Sequence, residues 1–271
     1  MRNLIHLWDI NGVKINLSKY GLIGRRLIVP SPSYTTTEES VEGRPGSIVL
    51  GKQLNPRPLT AIFIVEASDY ADVLLLRDEL FNLFRDKFYV GEVDQPGKRW
   101  LVECEAQWEL DRININTSSI EVPLTARKGL SESVETSLTP FEWDANMWQW
   151  GMGIPYDDYS YEHTTNKFKI YNAGTEIVDP RYMELKITIK GSATEYVELI
   201  NLTTGETYRY NGVLQAGDTL VIDKLRSTKN SLSVFRDTNK KLITLAPGPN
   251  DFEIIGASVE RISFDFRFYY V

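Results

Sequence analysis

The sequence predicts a mainly β protein with a single helix, divided into two domains. Three observations predict it. Residues 168–255 form a run of short segments in which apolar and β-branched residues alternate with polar ones: KFKIYNAGT, YMELKITIKG, YVELINLTTGETYRY, DTLVID, SLSVF and KLITLAPGPNDFEII, cut by Gly, Asn, Pro and Asp. That is the pattern an antiparallel β-sandwich writes into a chain. The only convincing three-and-four apolar spacing lies at Asp69–Arg85. A length of 271 residues exceeds the usual single domain.

The first domain, residues 1–130, reads as α+β: a sandwich-like set of strands with one packed helix and a projecting hairpin. Asn11-Gly12, between LWDI and VKINL, signals a two-residue hairpin. Tyr34–Arg57 is polar and rich in turn residues (TTTEES, VEGRPGS, NPRP), with one apolar strand at Ile48–Leu50. It reads as a long hairpin reaching out from the domain, which must find a partner surface or cap its edges. LTAIFIVEA (59–67) is a buried strand leading into the helix. Ser68 or Asp69 caps that helix, Asp72 adds charge to its first turn, and Lys87 follows its C-terminus. Val73, Leu76, Leu80 and Leu83/Phe84 form its apolar stripe, with Arg77, Asp78 and Arg85 on the other side. Its length is about 24 Å at ~1.5 Å per residue. Residues 88–110 read as a hairpin turning at Gln95-Pro96-Gly97-Lys98, with Trp100, Val102, Cys104 and Ala106 on one face. SSIEVPLTAR (118–127) closes the domain.

Residues 131–167 are expected to form an interdomain strap. It carries seven acidic residues and one basic one, which accounts for most of the net charge of −7. It also holds Phe141, Trp143, Trp148, Trp150, Tyr156, Tyr159 and Tyr161. Aromatic surface of this size does not stay in water, so Phe141, Trp143, Trp148 and Trp150 are expected to pin the strap across the domains. The competing reading is that these rings, beside Asp and Asn, grip a saccharide. Residues 168–271 form the sandwich, ending in RISFDFRFYYV, where Ile262, Phe264, Phe266, Phe268 and Tyr270 give one apolar face.

Composition narrows the function. The charge balance outside the strap is nearly even, and no segment is basic enough to neutralise a duplex backbone. The longest apolar run, Ala61–Val65, is too short to cross a bilayer, so no membrane anchor is expected. Asp9 interrupts the first apolar residues, which argues against a secretory signal and for cytosolic synthesis. One cysteine, Cys104, excludes an internal disulfide. It reads as a small buried hydrophobe in mid-strand.

Candidate chemistry is thin. Gly46–Gln53 nearly matches a phosphate loop. However, Gln53 replaces the Mg²⁺-binding hydroxyl, SIVL is a strand, and Pro56 and Pro58 forbid the helix that should face the phosphate. His163, near Glu162, Asp157 and Asp158, lacks a second His at usable spacing and reads as part of a solvated acidic loop. A Ca²⁺ site at Asp157/Asp158 lacks the alternating EF-type pattern. There is no G-x-S-x-G elbow for a nucleophile. Without a secretory signal, the glycosylation matches at Asn16, Asn116 and Asn201 are chance. No enzyme activity, metal or cofactor is expected.

The order of features resembles the distal tail proteins of long-tailed siphophages. The resemblance rests on EGRPGS (42–47) ahead of a strand, the 69–85 helix ending in Leu-Phe, and QPGKRW (95–100). In the second domain it rests on IYNAGT (170–175), Asp179-Pro180, INLTTGE (200–206), GDTLVID (217–223) and LAPGPN (245–250). It implies a virion protein of the tail tip, made in the bacterial cytoplasm. The N-terminal domain would build a hexameric ring through which DNA passes, with the hairpin embracing the neighbouring subunit. Glu42, Arg44, Ile48, Leu50 and Arg57 are the candidate contacts of that interface. It also implies a galectin-like or carbohydrate-module-like sandwich on the periphery. One ring face would meet the major tail protein of the tail tube and the other the tail-associated spike protein. In some members of that family receptor-binding proteins hang on the sandwich; the alternative reading of this chain is a carbohydrate-binding module that recognises cell-wall saccharide. The sandwich turns here are short, so the long arm that holds receptor-binding proteins in some relatives is expected to be missing.

Overall fold

The computed structural model describes every residue except 1, 41, 44, 141–147, 150 and 155–158. Half of the chain is strand and 8% is helical, with one α-helix among the described residues, so the mainly β reading holds. The chain divides into two compact units, Met1–Ser131 with Val271, and Glu132–Tyr270.

The described residues of the first unit form nine strands: β1 (Ile5–Trp8), β2 (Leu22–Ile28), β3 (Tyr34–Ser40), β4 (Ser47–Leu54), β5 (Arg57–Glu66), β6 (Phe88–Glu92), β7 (Lys98–Val102), β8 (Leu110–Arg112) and β9 (Thr117–Ala126). One sheet runs β2-β5-β9-β8, all antiparallel. In a second, β6 lies between β1 and β7. The β5 residues Leu59, Ala61, Phe63 and Val65 are buried, as are Ile120, Val122, Leu124 and Ala126 of β9. Alternation on both strands points these onto one face. Ile5, Leu7, Phe88, Val90, Trp100, Leu80 and Phe84 complete that core.

Helix α1 spans Tyr70–Leu83. Asp69 is its N-cap, its carboxylate accepting from the Asp72 N–H at 2.9 Å. Asp72 reaches back to accept from the Ser68 N–H at 2.8 Å. The first bond satisfies a donor that helix geometry leaves open, and the second ties down the residue before the cap.

Two sequence expectations in this unit change. Asn11-Gly12 does not make a two-residue hairpin. The Asp9 carboxylate accepts from the N–H groups of Asn11 and Val13, and the loop closes with a single bridge from Trp8 to Lys14. An aspartate that satisfies the turn by itself competes with strand pairing. The 88–110 hairpin does turn at Gln95–Lys98, where the Lys98 N–H donates to Gln95 O at 3.1 Å. Its second strand ends at Val102, so Cys104 lies beyond it, half-buried, rather than in mid-strand.

In the second unit, β10 (Ser131–Ser133), at the boundary, pairs with β21 (Tyr269–Tyr270). One sheet is β11 (Glu162–His163), β20 (Ser258–Phe266), β13 (Leu185–Ser192), β16 (Thr219–Asp223), β17 (Arg226–Lys229) and β18 (Leu232–Ser233) in spatial order. The other is β12 (Lys167–Asn172), β19 (Gly248–Ile255), β14 (Tyr196–Asn201) and β15 (Glu206–Asn211). Phe264 of the first sheet meets Phe168 and Phe252 of the second at 5.9 and 4.9 Å between ring centroids. That is sheet-on-sheet packing of a β-sandwich.

Two expected strands are interrupted here. SLSVF yields only the two-residue β18 before a short 3-10 turn at Phe235–Asp237. In KLITLAPGPNDFEII the strand starts at Gly248, after a segment held by side chains. Asn250 Nδ2 donates to Ala246 O at 2.8 Å, its Oδ1 accepts from the Ala246 N–H at 2.9 Å, and Asn201 Nδ2 donates to Thr244 O at 2.8 Å. These buried amides supply the bonds that a strand partner would otherwise give.

Candidate assembly surface

Among the described residues β3 and β4 pair only with each other, as a two-stranded ribbon outside both sheets of the first unit. All seven residues of β3 are exposed, and of β4 only Ile48 and Leu54 are partly covered. Its turn uses Gly43 and Gly46 at φ +80° and +84°, a left-handed backbone that glycine adopts without strain. Asn55 ties the root: its N–H donates to Ser33 O at 3.0 Å and its Oδ1 accepts from Thr35 Oγ1 at 2.7 Å. The Lys52 ammonium sits 4.0 Å from the Tyr34 ring centroid. Thr37 pairs with Gly51 and Glu38 with Val49, so Leu50 is an extra, unpaired residue. Such a bulge re-aims side chains, and Val49 and Leu50, 59% and 61% exposed, are the large apolar residues it presents. An isolated two-stranded ribbon is marginal in water, so this one is built to lie on something.

A second unsatisfied surface lies between α1 and β8. Tyr70, Val73, Leu74, Arg77 and Phe81 of the helix face Trp108, Glu109, Leu110, Arg112 and Ser118 across a groove of about 370 Å³. Phe81 packs edge-on against Trp108, and Trp108 against the buried Phe84. The Arg112 guanidinium lies 4.8 Å from the Tyr70 ring, and Arg77 lies 6.0 Å from Phe81. Phe81 is 45% and Leu74 39% exposed. Of the sequence stripe, Leu80 and Phe84 are buried and Leu76 packs partly covered against the core, while Val73 opens onto the groove. The neighbouring stripe Tyr70, Leu74, Phe81 has a four-and-seven spacing that puts it on one helix face of its own.

Of the residues expected at an interface, Glu42, Ile48 and Leu50 lie on the ribbon, and Arg44 is outside the described residues. Arg57 is not on the ribbon's surface. It opens β5, is only 4% exposed, and lies with its guanidinium 4.9 Å from the Trp100 ring. Burial pushes its pKa down, with Tyr34 acting in the opposite sense.

Phe141, Trp143 and Trp150 of the aromatic cluster lie outside the described residues, as do Tyr156, Asp157 and Asp158. Trp148 is buried, edge-on to Phe268 at 5.9 Å, with Nε1 donating to Pro140 O at 3.1 Å. A ring so enclosed presents no face to a sugar. His163 is not in a solvated loop: it is half-buried and stacks on Phe168 at 4.8 Å. Burial holds its pKa below the ordinary histidine value, against the effect of the Ser160 and Lys169 backbones. Burial raises the Cys104 thiol, which makes it a poor nucleophile at neutral pH. Among the described residues no group of three or more His, Cys, Asp or Glu is placed to hold a metal ion. No helix among them is long and apolar enough to cross a membrane.

Residues 10–126 match the sequence profile of the phage tail protein RIFT-related domain, Sipho_tail. A sequence comparison with curated proteins found no match. In fold, the chain is similar to the crystal structure of the Dit protein (gp 19.1) of phage SPP1, described as a paradigm of the hub adsorption apparatus in phages infecting Gram-positive hosts. The TM-score is 0.70 at 16% identity, over 98% of this chain and 100% of that one. It is also similar to a chain of the phage P2 baseplate in its activated conformation with Ca, with a TM-score of 0.50 at 10% identity, over 99% and 98% of the two chains. At these identities the likeness is one of fold. Residues 10–126 thus resemble the phage tail protein RIFT-related domain, and the chain as a whole shares its fold with the Dit protein of phage SPP1.

Proposed function

We propose that this protein is a structural subunit of a phage tail tip, the hub that joins the tail tube to the host-adsorption device. The observation that carries this reading is the end-to-end likeness in fold to SPP1 Dit, together with the resemblance of residues 10–126 to the tail-protein domain. The role is structural: binding energy goes into contacts with copies of itself and with other tail components.

The first unit builds a hexameric ring, and DNA passes through its hole. One ring face meets the major tail protein, and the other meets the tail-associated spike protein. The chain carries 30 Lys+Arg against 37 Asp+Glu, a balance suited to a conduit that does not grip phosphate. A ring needs two different patches on each subunit, related by a rotation that closes. The exposed ribbon is one such patch. The sandwich lies on the periphery, available to receptor-binding protein or cell-wall saccharide.

Light scattering of the purified chain tests this reading. The full-length protein is expected at six times the chain mass, and a variant with residues 35–53 replaced by a short Gly/Ser linker as a monomer. A full-length monomer at high concentration contradicts it.

A further inference from the structure

We propose that the end of the sandwich built around Arg181 is a binding site for an anionic glycan, a chain of hydroxylated units that carries phosphate or carboxylate charge. The inference rests on the saccharide-facing role proposed above for the sandwich, and names the site and the chemistry of its ligand.

Several connections of the sandwich gather at this end. The turn between β14 and β15 closes on Glu206, which pairs with Asn201. The Glu206 Oε2 accepts from the Thr244 N–H at 2.6 Å and from Thr244 Oγ1 at 2.7 Å, so residues 241–244 lie beside that turn. The turn between β16 and β17 is Lys224-Leu225, and the Lys224 N–H donates to Leu185 O, at the start of β13, at 3.0 Å. Asp179-Pro180-Arg181 leads into the same strand. Two open clefts result. One, of about 380 Å³, is lined by Asp179, Arg181, Glu206, Thr207, Lys241 and Thr244. The other, of about 400 Å³, is lined by Arg181, Asp223, Lys224, Leu225 and Arg226. Arg181 belongs to both. Turns held on a rigid sandwich are where binding groups are commonly placed.

Arg181 is the fixed point of the site. Asp179 is only 4% exposed, and its carboxylate accepts from the Arg181 backbone N–H at 3.0 Å. Arg181 Nε donates to both Asp179 oxygens at 2.9 Å, and Nη2 donates to Oδ2. A guanidinium locked on one side by a buried carboxylate keeps Nη1 for a ligand. Its fork suits the paired oxygens of a phosphate or carboxylate. Because the side chain is already held, little freedom remains to be lost on binding.

The rest of the lining decides the ligand class. Lys241 in one cleft, and Lys224 and Arg226 in the other, are exposed and form no ion pair among the described residues. A neutral sugar leaves these charges unused. Asp223 and the Glu206 Oε1 are acceptors that no side chain among the described residues engages. They repel a ligand that is anionic throughout and accept from hydroxyl groups. Cations together with open acceptors therefore suit a ligand bearing both anions and hydroxyls. Among the described residues no aromatic side chain lines either cleft, so the recognition is by charge and hydrogen bonds.

Isothermal titration calorimetry on the full chain tests the site with four probes: a glycerol-phosphate oligomer, a galacturonate oligomer, dextran and polyglutamate. At least one of the first two is expected to bind at least tenfold more tightly than dextran or polyglutamate, and which one binds identifies the charged group. Lys241→Glu and Lys224→Glu each reverse an exposed charge, and circular dichroism checks that the fold is kept. Each is expected to weaken binding at least tenfold. Dextran or polyglutamate binding as tightly as the anionic glycans overturns the ligand class. Anionic-glycan binding that both variants retain in full overturns the site and leaves the saccharide role of the sandwich standing. No binding of either anionic glycan overturns the proposal, and rings from the same sample in the electron microscope would leave the hub reading intact.

Discussion

Phe81 meets Trp108 edge-on, ring centroids 5.0 Å apart, and Trp108 meets the buried Phe84 at 5.7 Å. The contact runs from the open face of α1 to the core of the first unit. The two phenylalanines should therefore answer differently to truncation. Phe84→Ala removes a filled core position and is expected to cost about 3–5 kcal/mol. Phe81→Ala, on the half-exposed side, is expected to cost about 1 kcal/mol through its aromatic pairing. Urea denaturation of the two variants measures the difference; equal losses would mean that the open face is part of the core.

The N-terminal cap of α1 is a second point of leverage. Asp69→Ala deletes the acceptor for the Asp72 N–H and is expected to cost about 1 kcal/mol. Asp69→Asn keeps the acceptor and should recover most of that loss. Denaturation midpoints of the pair check it, and identical midpoints for Ala and Asn would show that the cap contributes nothing.

In the sandwich, Asn250 is fully buried and holds both backbone groups of Ala246. Asn250→Ala leaves those part-buried groups without their partner, at about 1–3 kcal/mol each. The variant should therefore lose about 3 kcal/mol, seen as a fall in the unfolding temperature of the second unit. A loss below about 0.5 kcal/mol would mean that the 246–250 turn holds itself.

Acid should destabilise the sandwich through His163. Its folded pKa is lowered by burial, so the unfolded chain binds the proton more readily. Stability from this group is complete above the unfolded value of about 6.5 and is lost as pH falls below it. His163→Phe keeps the stacking on Phe168 and removes the proton site. Its stability between pH 7 and 5 should be flatter than that of the parent. His6, also lowered by burial, acts in the same direction in the first unit and is untouched by this substitution. Parallel pH profiles for parent and variant would refute the assignment.

Much of this architecture is legible in the residues. The apolar run in LTAIFIVEA gives β5, the Asp69/Asp72 pattern gives the start of α1, and the Pro-Gly turn gives β6–β7, because each is fixed by local chemistry. The polar run TTTEES reads as part of a hairpin only because it is bracketed by turn residues. Its full pairing with β4 is set by register across the turn. What the sequence does not disclose depends on partners distant along the chain. Cys104 leaves its strand because the pairing of β7 stops at Val102. Arg57 is buried because Trp100, more than forty residues on, lies beneath its guanidinium. The groove is hidden for another reason: Tyr70, Leu74 and Phe81 look like more core, and only the finished sheet shows that β8, its edge strand, lies beside them.

Negative-stain electron microscopy of the purified full-length chain tests the central claim most directly. The account predicts closed rings with a central hole, lost when residues 35–53 are replaced by a short linker. A field of small separate particles from the intact chain, at concentrations where tail hubs assemble, would contradict it.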